Sequence, residues 1–344
     1  MERSRPGRSG GENGPVNPRP TLLDVAAHAG VSKSLVSLAL RGDPGVSERT
    51  RERIRRAADD LGYRSNALAR SLKQGRTMLL GAVLSSLDNP YHTEIVTGVE
   101  EAAREAGFSV LLVHGSRDRG HLAGHLDTLL SLNVDGLVVI SSWLEEEHLR
   151  AAARRAPVVM VGRPLGAVDG VDTVTNDDAR GAALAVDHLV GLGRSRIAHV
   201  SGSARPAGLA RRAGYEAAMR RHGLTEEIRV VGPGVPVADL VEDGYRGVFA
   251  RNDVEAFDLL DHAHDRGLCV PQDLAVVGYD DSALARRARP RLTSVHQPRG
   301  RMGELAVELL LERLGGRGED RHEVLAPRLV VRGSTVPGES PSER

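Results

Sequence analysis

Seven short apolar runs recur between Met78 and Asp281: MLLGAVLS, SVLLVHG, DGLVVIS, PVVMVG, IAHVSG, GVFARND and LAVVGYDD. They are Val-rich and do not alternate strictly, which is the pattern of strands buried on both faces of a parallel sheet. Parallel neighbours need a crossover, and the stretches Thr93 to Ala106, Ala179 to Leu192, Ala210 to His222 and Val254 to Arg266 read as the helices that supply it. Repeated strand-helix alternation restricts this part of the chain to a doubly wound α/β body. The body occupies only part of the 344 residues, a length of about two domains at roughly 100 to 200 residues each. With one Trp, five Tyr and three Phe, the cores must be filled by aliphatic side chains, and an aromatic in a pocket is informative.

The ends differ from the body. Residues 1–19 are rich in Gly, Pro, Arg, Ser and Asn and hold too little apolar surface to offset the entropy of ordering them, so a disordered tail is expected. Residues 336–344 read as a short C-terminal tail. Cys269 is the only cysteine, which excludes an intrachain disulfide framework. No window reaches the roughly 18 to 20 apolar residues of a membrane span, and no secretory signal opens the chain, so a cytoplasmic protein without membrane contact is expected.

The charge totals, 46 basic against 46 acidic, conceal a division. Residues 1–76 hold fifteen Lys and Arg against eight Asp and Glu, leaving 31 against 38 in the remainder. Seven positive charges in excess at one end and seven negative at the other point to nucleic-acid binding at the N-terminus, with a solvated basic face as the plainer alternative.

Within that basic region, Thr21 with Asp24 three residues on makes a capping-box start for a helix to about Ala29. Gly30 supplies a turn, and Ser32 caps a second helix over Lys33 to Leu40, giving a helix-turn-helix. Leu22, Val25, Ala26, Val31, Leu35, Val36 and Ala39 fall where crossing helices bury them, leaving Lys33, Ser34, Ser37 and Leu38 outward. A third helix begins at Ser47 and ends at Leu61-Gly62.

On TLLDVAAHAGVSKSLVSLALRG (21–42), VSERTRERIRRAADDLGY (46–63) and SNALARSLKQGRT (65–77), the sequence resembles the LacI/GalR family of bacterial transcription regulators, and the resemblance extends to about residue 335. It implies a helix-turn-helix head over residues 20–64, a hinge helix and linker over 65–76, and a periplasmic-binding-protein-like body of two doubly wound subdomains over 77–335. By that resemblance the second helix enters the major groove with Lys33, Ser34 and Leu38 toward the bases, and the outward Ser37 is a further DNA-binding candidate. Leu38 stands where the family often has arginine. It offers an apolar contact instead of a two-bond grip on guanine, so an unfamiliar operator half-site is implied. Thr21, Ser32, Ser47, Thr50 and Asn66 match phosphate-contacting positions. Ala69 and Leu72 fall on the apolar stripe of the hinge helix, Leu72 matching a leucine that wedges into the minor groove.

For the body, the resemblance implies three crossings between subdomains, a homodimer, and a small effector between the subdomains. No further cofactor is expected. Ligands of open α/β sheets sit beyond the carboxyl ends of strands, which singles out residues after the apolar runs. Asn89, Tyr91 and His92 match a segment that closes over the ligand. Trp143 is read either as a stacking surface or as a half-buried neighbour of Leu144. Arg211 matches a ligand-gripping arginine, Asn252 and Asp280 match polar contacts suited to a sugar, and Arg163 is a further candidate. The segment between Val231 and Phe249 has room for only about two helical turns. Enzyme readings are weak: His121 and His125 lack a zinc-protease glutamate and read as solvated, and no phosphate loop or nucleophile elbow is present. The expected function is an effector-controlled, operator-binding repressor, with a solute-binding protein or a purine- or nucleoside-responsive regulator as alternatives.

Overall fold

The computed structural model describes residues 20–63, 76–116, 118–202 and 204–336. The two expected tails, apart from residue 336, and the hinge with Asn66, Ala69 and Leu72 lie outside the described residues. The chain separates into two compact units, residues 1–75 and 76–344.

In the first unit, α1 (Leu22–Ala29), α2 (Lys33–Arg41) and α3 (Glu48–Asp60) enclose a small core of Val25, Ala26, Ala29, Val36, Ala39, Ile54, Ala57 and Ala58. The capping box forms as expected: Thr21 N–H donates to Asp24 Oδ2 at 2.8 Å, and Thr21 Oγ1 accepts from Asp24 N–H. Gly30 ends α1 with φ of 63°, a left-handed conformation that costs a side-chain-bearing residue more than glycine. The chain then turns so that α1 and α2 meet at 101°.

The second unit contains two six-stranded sheets. The first is built from β1 (Leu79–Leu84), β2 (Ser109–His114), β3 (Gly136–Ile140), β4 (Val158–Val161), β5 (Val171–Asn176) and β11 (His322–Leu325), in the order β2-β1-β3-β4-β5-β11. The second is built from β6 (Ile197–Val200), β7 (Arg229–Val231), β8 (Gly247–Ala250), β9 (Ala275–Asp280), β10 (Thr293–His296) and β12 (Arg328–Val330), in the order β7-β6-β8-β9-β10-β12. The two orders match strand for strand, and each reverses direction of winding at its first strand, which leaves a crevice beside it. All pairings are parallel except β10 with β12.

Helices cover both faces. In the first subdomain, α4 (Pro90–Glu105) and α12 (Arg299–Leu314) pack over Leu80, Leu84 and Val138, while α5 (Arg119–Ser131) and α6 (Glu146–Ala153) pack over Val83, Leu137 and Val139. In the second, α7 (Asp178–Gly191) and α8 (Pro206–Arg221) enclose Phe249, Val277 and Tyr279, and α9 (Val237–Glu242), α10 (Asp253–Asp265) and α11 (Ala283–Arg287) the opposite face. The chain passes between subdomains three times: after β5, after β10 and after β11. The six-residue α9 is the abbreviated crossover that the short segment before Phe249 allows.

Two expectations need correction. The runs were expected to be buried on both faces, but β2 is an edge strand whose Leu112 is 40% exposed. Conversely β5, with the sequence VDTVTN, is buried throughout although four of its six residues are polar. The helix expected from Ala210 begins at Pro206, because proline loses nothing at a first helical position, where its missing N–H has no partner in any case.

The pairing of α4 with α12 depends on missing side chains. A Cβ on Gly303 would overlap the Ile95 carbonyl oxygen, and one on Gly98 the Gly300 carbonyl oxygen. Gly303→Ala is therefore expected to destabilise the body by about 1–3 kcal/mol, through forced separation of the helices. Urea unfolding of the variant measures this, and an unchanged midpoint would show that the helices separate freely.

Candidate functional site

In the head, α2 presents Lys33 and Ser34 exposed and Ser37 and Leu38 half-buried, four residues on one face. Behind them Val36 and Ala39 are buried, so the face is held by the core. Ser32 Oγ accepts from Leu35 N–H at 3.2 Å and caps α2. Ser47 Oγ caps α3 by accepting from Thr50 N–H at 3.3 Å, and the two hydroxyls lie 2.9 Å apart. Arg51 joins the helices by donating to the Ala39 and Asp43 carbonyls at 2.9 and 3.0 Å. Thr21, Ser32, Ser47 and Thr50 thus sit at helix starts, where free N–H groups accumulate and phosphate oxygens are best received. The charge is distributed otherwise than the total suggests. Residues 20–63 hold seven basic and six acidic residues, so most of the surplus lies in the sequence on either side.

In the body, a cleft of about 270 Å³ opens between the carboxyl ends of the two sheets. Asn89, Tyr91, His92, Trp143, Arg163, Arg211, Asn252 and Asp280 all line it. They come from the start of α4, the segments that follow β3, β4 and β8, the interior of α8 and the end of β9, which explains why residues remote in sequence meet there. Ser85, Ser86, Ser141, Ser142, Arg205 and Arg251 complete the polar wall and were not singled out from the sequence. The serines form two pairs, each directly following a strand, a signal visible in the sequence. Arg205 precedes the Pro206 helix start that was missed.

The two asparagines have divided duties. Asn89 Oδ1 accepts from Tyr91 N–H at 3.1 Å and caps α4, and Asn252 Oδ1 accepts from Glu255 N–H at 3.0 Å and caps α10. Each amide oxygen is engaged, which leaves the Nδ2 donors for the cleft. His92 Nδ1 lies 2.8 Å from the Ser86 carbonyl, which can only accept, so Nδ1 carries the proton and Nε2 accepts from the Ser85 hydroxyl at 3.3 Å.

Arg211 is fixed on three sides. Its Nε donates to Asp178 Oδ1 at 2.9 Å, its Nη1 to the Arg251 carbonyl at 2.6 Å, and its plane lies 3.7 Å above the Tyr279 ring. Tyr279 donates to the same Asp178 oxygen at 3.2 Å and accepts from Asn176 Nδ2 at 2.7 Å. Burial opposes the arginine's charge but the carboxylate of Asp178 outweighs it, so its pKa is raised. Tyr91 has its phenol raised well above its ordinary value by burial and by Asp178 and Asp280, and remains a hydrogen-bond donor. Asp280 accepts from Gln297 Nε2 at 2.6 Å, and burial raises its pKa against the pull of Arg211 and Arg299. Its backbone is held at φ of 105°, a conformation that costs a non-glycine residue of order 1–3 kcal/mol and recurs at functional sites. Trp143 is a cleft residue, with the Arg205 guanidinium 3.7 Å from its ring centroid. His121 and His125 are exposed, and no cluster of metal-ligating side chains occurs among the described residues.

Comparison with known proteins agrees with this division. Residues 21–66 match the bacterial regulatory proteins of the lacI family, residues 77–236 the periplasmic binding proteins and sugar binding domain of the LacI family, and residues 186–335 a periplasmic binding protein-like domain. The ribose operon repressor of Escherichia coli (strain K12) is 34% identical over 328 residues, covering 91% of this chain and 99% of that protein. The chain belongs to the LacI family of bacterial regulatory proteins.

Solved LacI-family structures superpose over the same span. The lac repressor dimer bound to operator and the anti-inducer ONPF has a TM-score of 0.79 at 26% identity, covering 92% of this chain and 99% of that one. The transcriptional regulator CelR in complex with cellobiose has a TM-score of 0.67 at 33% identity, covering 92% and 100%. As a member of the LacI family the chain is a DNA-binding transcription regulator, with a helix-turn-helix head and a periplasmic-binding-protein-like body. Among its described residues no single helix is long and apolar enough to cross a membrane.

Proposed function

We propose that the protein is a cytoplasmic repressor that binds a near-palindromic operator as a homodimer and changes its DNA affinity when a small polyhydroxylated effector enters the cleft. The observation that carries this reading is the cleft itself, whose polar side chains come from both subdomains, so that a ligand held by Asn89 on one side and by Arg211, Asn252 and Asp280 on the other draws the two together. Three chain crossings let the subdomains rotate as units, and the first leaves β5 directly beside Asp178. The effector then acts at a distance by favouring one angle between subdomains, hence one spacing of the two heads. Linkage makes the coupling reciprocal, so operator DNA alters effector affinity by the same factor.

A cleft of about 270 Å³ lies at the small end of ligand sites, which run to roughly 1,000 Å³, and suits a monosaccharide-sized molecule. Arg205 covers the Trp143 face, which argues against a stacked purine. In the head, Lys33, Ser34, Ser37 and Leu38 read bases, while Thr21, Ser32, Ser47, Thr50 and Asn66 meet phosphates and Leu72 enters the minor groove beside Ala69.

Selection from a pool of random duplex DNA tests the assignment. The full chain is expected to enrich a near-palindrome, with salt-weakened affinity, and residues 77–344 alone to enrich nothing. Recovery of the same sites by the truncated chain would remove the head from DNA recognition.

A further inference from the structure

The cleft holds more positive charge than a neutral polyol requires. Arg163, Arg205, Arg211 and Arg251 line it, against Asp280 as the lining carboxylate. Behind the wall, Asp178 receives Arg211 Nε at 2.9 Å and Glu255 receives Arg251 Nε at 3.2 Å. With Asp280 these make three acids, and Arg163 is the lining arginine least closely matched by them. Arg163 lines both this cleft and a neighbouring cavity walled by Ala204 and Pro206, the residues on either side of Arg205. The nearest acid to Arg163 is Asp178 at 4.0 Å, a carboxylate already engaged by Arg211 and Tyr279. Arg163 Nε is buried without a hydrogen-bond partner among the described residues, a desolvation cost that an incoming acceptor would relieve.

Arg205 places its guanidinium carbon 3.7 Å from the centre of the Trp143 ring and donates Nη1 to the Ser142 carbonyl at 3.1 Å. Burial and the charge of Arg119 both hold its pKa down, a field that a bound anion reverses. The start of α8 opens at the same end. Arg205 occupies its N-cap position, no side chain among the described residues caps it, its first turn carries no acid, and Ala207 and Gly208 lie on the cleft wall. The backbone N–H groups and positive end of a sixteen-residue helix therefore add to the two guanidinium groups.

We propose that the effector carries an oxyanion on its polyol frame, received by Arg163, Arg205 and the first turn of α8, while Asn89, Asn252 and Asp280 hold its hydroxyls. The inference rests on the cleft being the effector site. A sugar acid and a sugar phosphate share this chemistry.

Calorimetric titration of the full-length protein with D-glucose, D-gluconate, D-glucose 6-phosphate and inorganic phosphate, at one ionic strength, tests the inference. At least one of the two acidic sugars should bind about 10-fold or more tightly than glucose, as expected for hydrogen bonds between charged groups. The identity of the tighter one separates a carboxylate source from a phosphate source. Inorganic phosphate should compete with it. R163Q and R205Q should each reduce the preference to under about 3-fold, and R205K should recover part of it, with ligand-free unfolding midpoints reporting that the variants are folded. Glucose binding as tightly as both acids, failure of both acids to bind, or a preference that survives both glutamine substitutions overturns the inference. The effector reading fails separately: it falls if a ligand binds in the cleft and leaves affinity for the selected DNA unchanged.

Discussion

Alanine at Arg211 is expected to abolish the response of DNA binding to effector, with effector affinity falling by about 100-fold and affinity for DNA unchanged. The magnitude follows from the loss of charge-assisted bonds, at about 1.5–3 kcal/mol each. Arg211 is held by Asp178, the Arg251 carbonyl and the Tyr279 ring before any ligand arrives, so little entropy remains to be lost when its remaining N–H groups, two of them on Nη2, meet one. Truncation also leaves the buried Asp178 with Arg163 at 4.0 Å as its nearest cation. Calorimetry and DNA anisotropy on the same preparation separate the two readouts. A variant that still answers to effector would take Arg211 out of the site.

Asn at Asp172 is expected to cost about 3–5 kcal/mol of stability, because it breaks a buried ion cluster and leaves Arg313 and Arg317 with only their outer partners, Asp320 and Glu312. Asp172 is fully buried. It receives Arg313 Nε and Nη2 at 2.9 and 2.7 Å, Arg317 Nη1 and Nη2 at 3.2 and 2.6 Å, and Arg321 N–H at 2.8 Å. One carboxylate thereby ties β5 to the end of α12 and the start of β11. Burial pushes its pKa up, but the two guanidinium groups prevail and hold it at about 2. Its contribution is therefore complete above about pH 4 and lost as pH falls toward 2.

His199 acts in a higher window. It stacks on Phe249 at 4.7 Å, donates Nδ1–H to the Phe249 carbonyl at 2.9 Å, and has its pKa lowered to about 4, chiefly by burial. The unfolded chain takes up this proton near pH 6.5, so stability is lost as pH falls from about 6.5 to 4. Urea unfolding from about pH 7 to about pH 2 should show both losses in the natural chain and only the upper one in D172N. Equal acid sensitivity below pH 4 in both proteins would exclude Asp172 as the lower group.

Most of the cleft was legible because strand ends are legible. Asn89, Trp143, Arg163, Asn252 and Asp280 each follow or close an apolar run, and the topology of an open α/β sheet brings such residues to one edge. The strands that escaped notice are those whose buried positions are polar. In β5, Asp172 is satisfied by arginines about 140 residues later and Asn176 by Tyr279, partners that no local pattern announces. Strands β11 and β12 are short and half-exposed, and their pairing is decided by the chain's last crossing between subdomains. Arg205 was missed for a related reason. Its importance comes from Trp143, which stands in the other subdomain. In the head, by contrast, caps and turns are local, and each helix begins at the Thr or Ser expected.

The position of Trp143 has a practical consequence. It is the only tryptophan in the chain, it lies in the cleft, and a guanidinium rests on its ring. Its intrinsic emission is thus an optical reporter of what enters the cleft, with no background from a second indole. Cys269, the only thiol, is exposed at the far end of α10 in the opposite subdomain, where a single acceptor dye can be attached. Energy transfer between the two would follow the opening and closing of the natural sequence in real time, without an engineered label site.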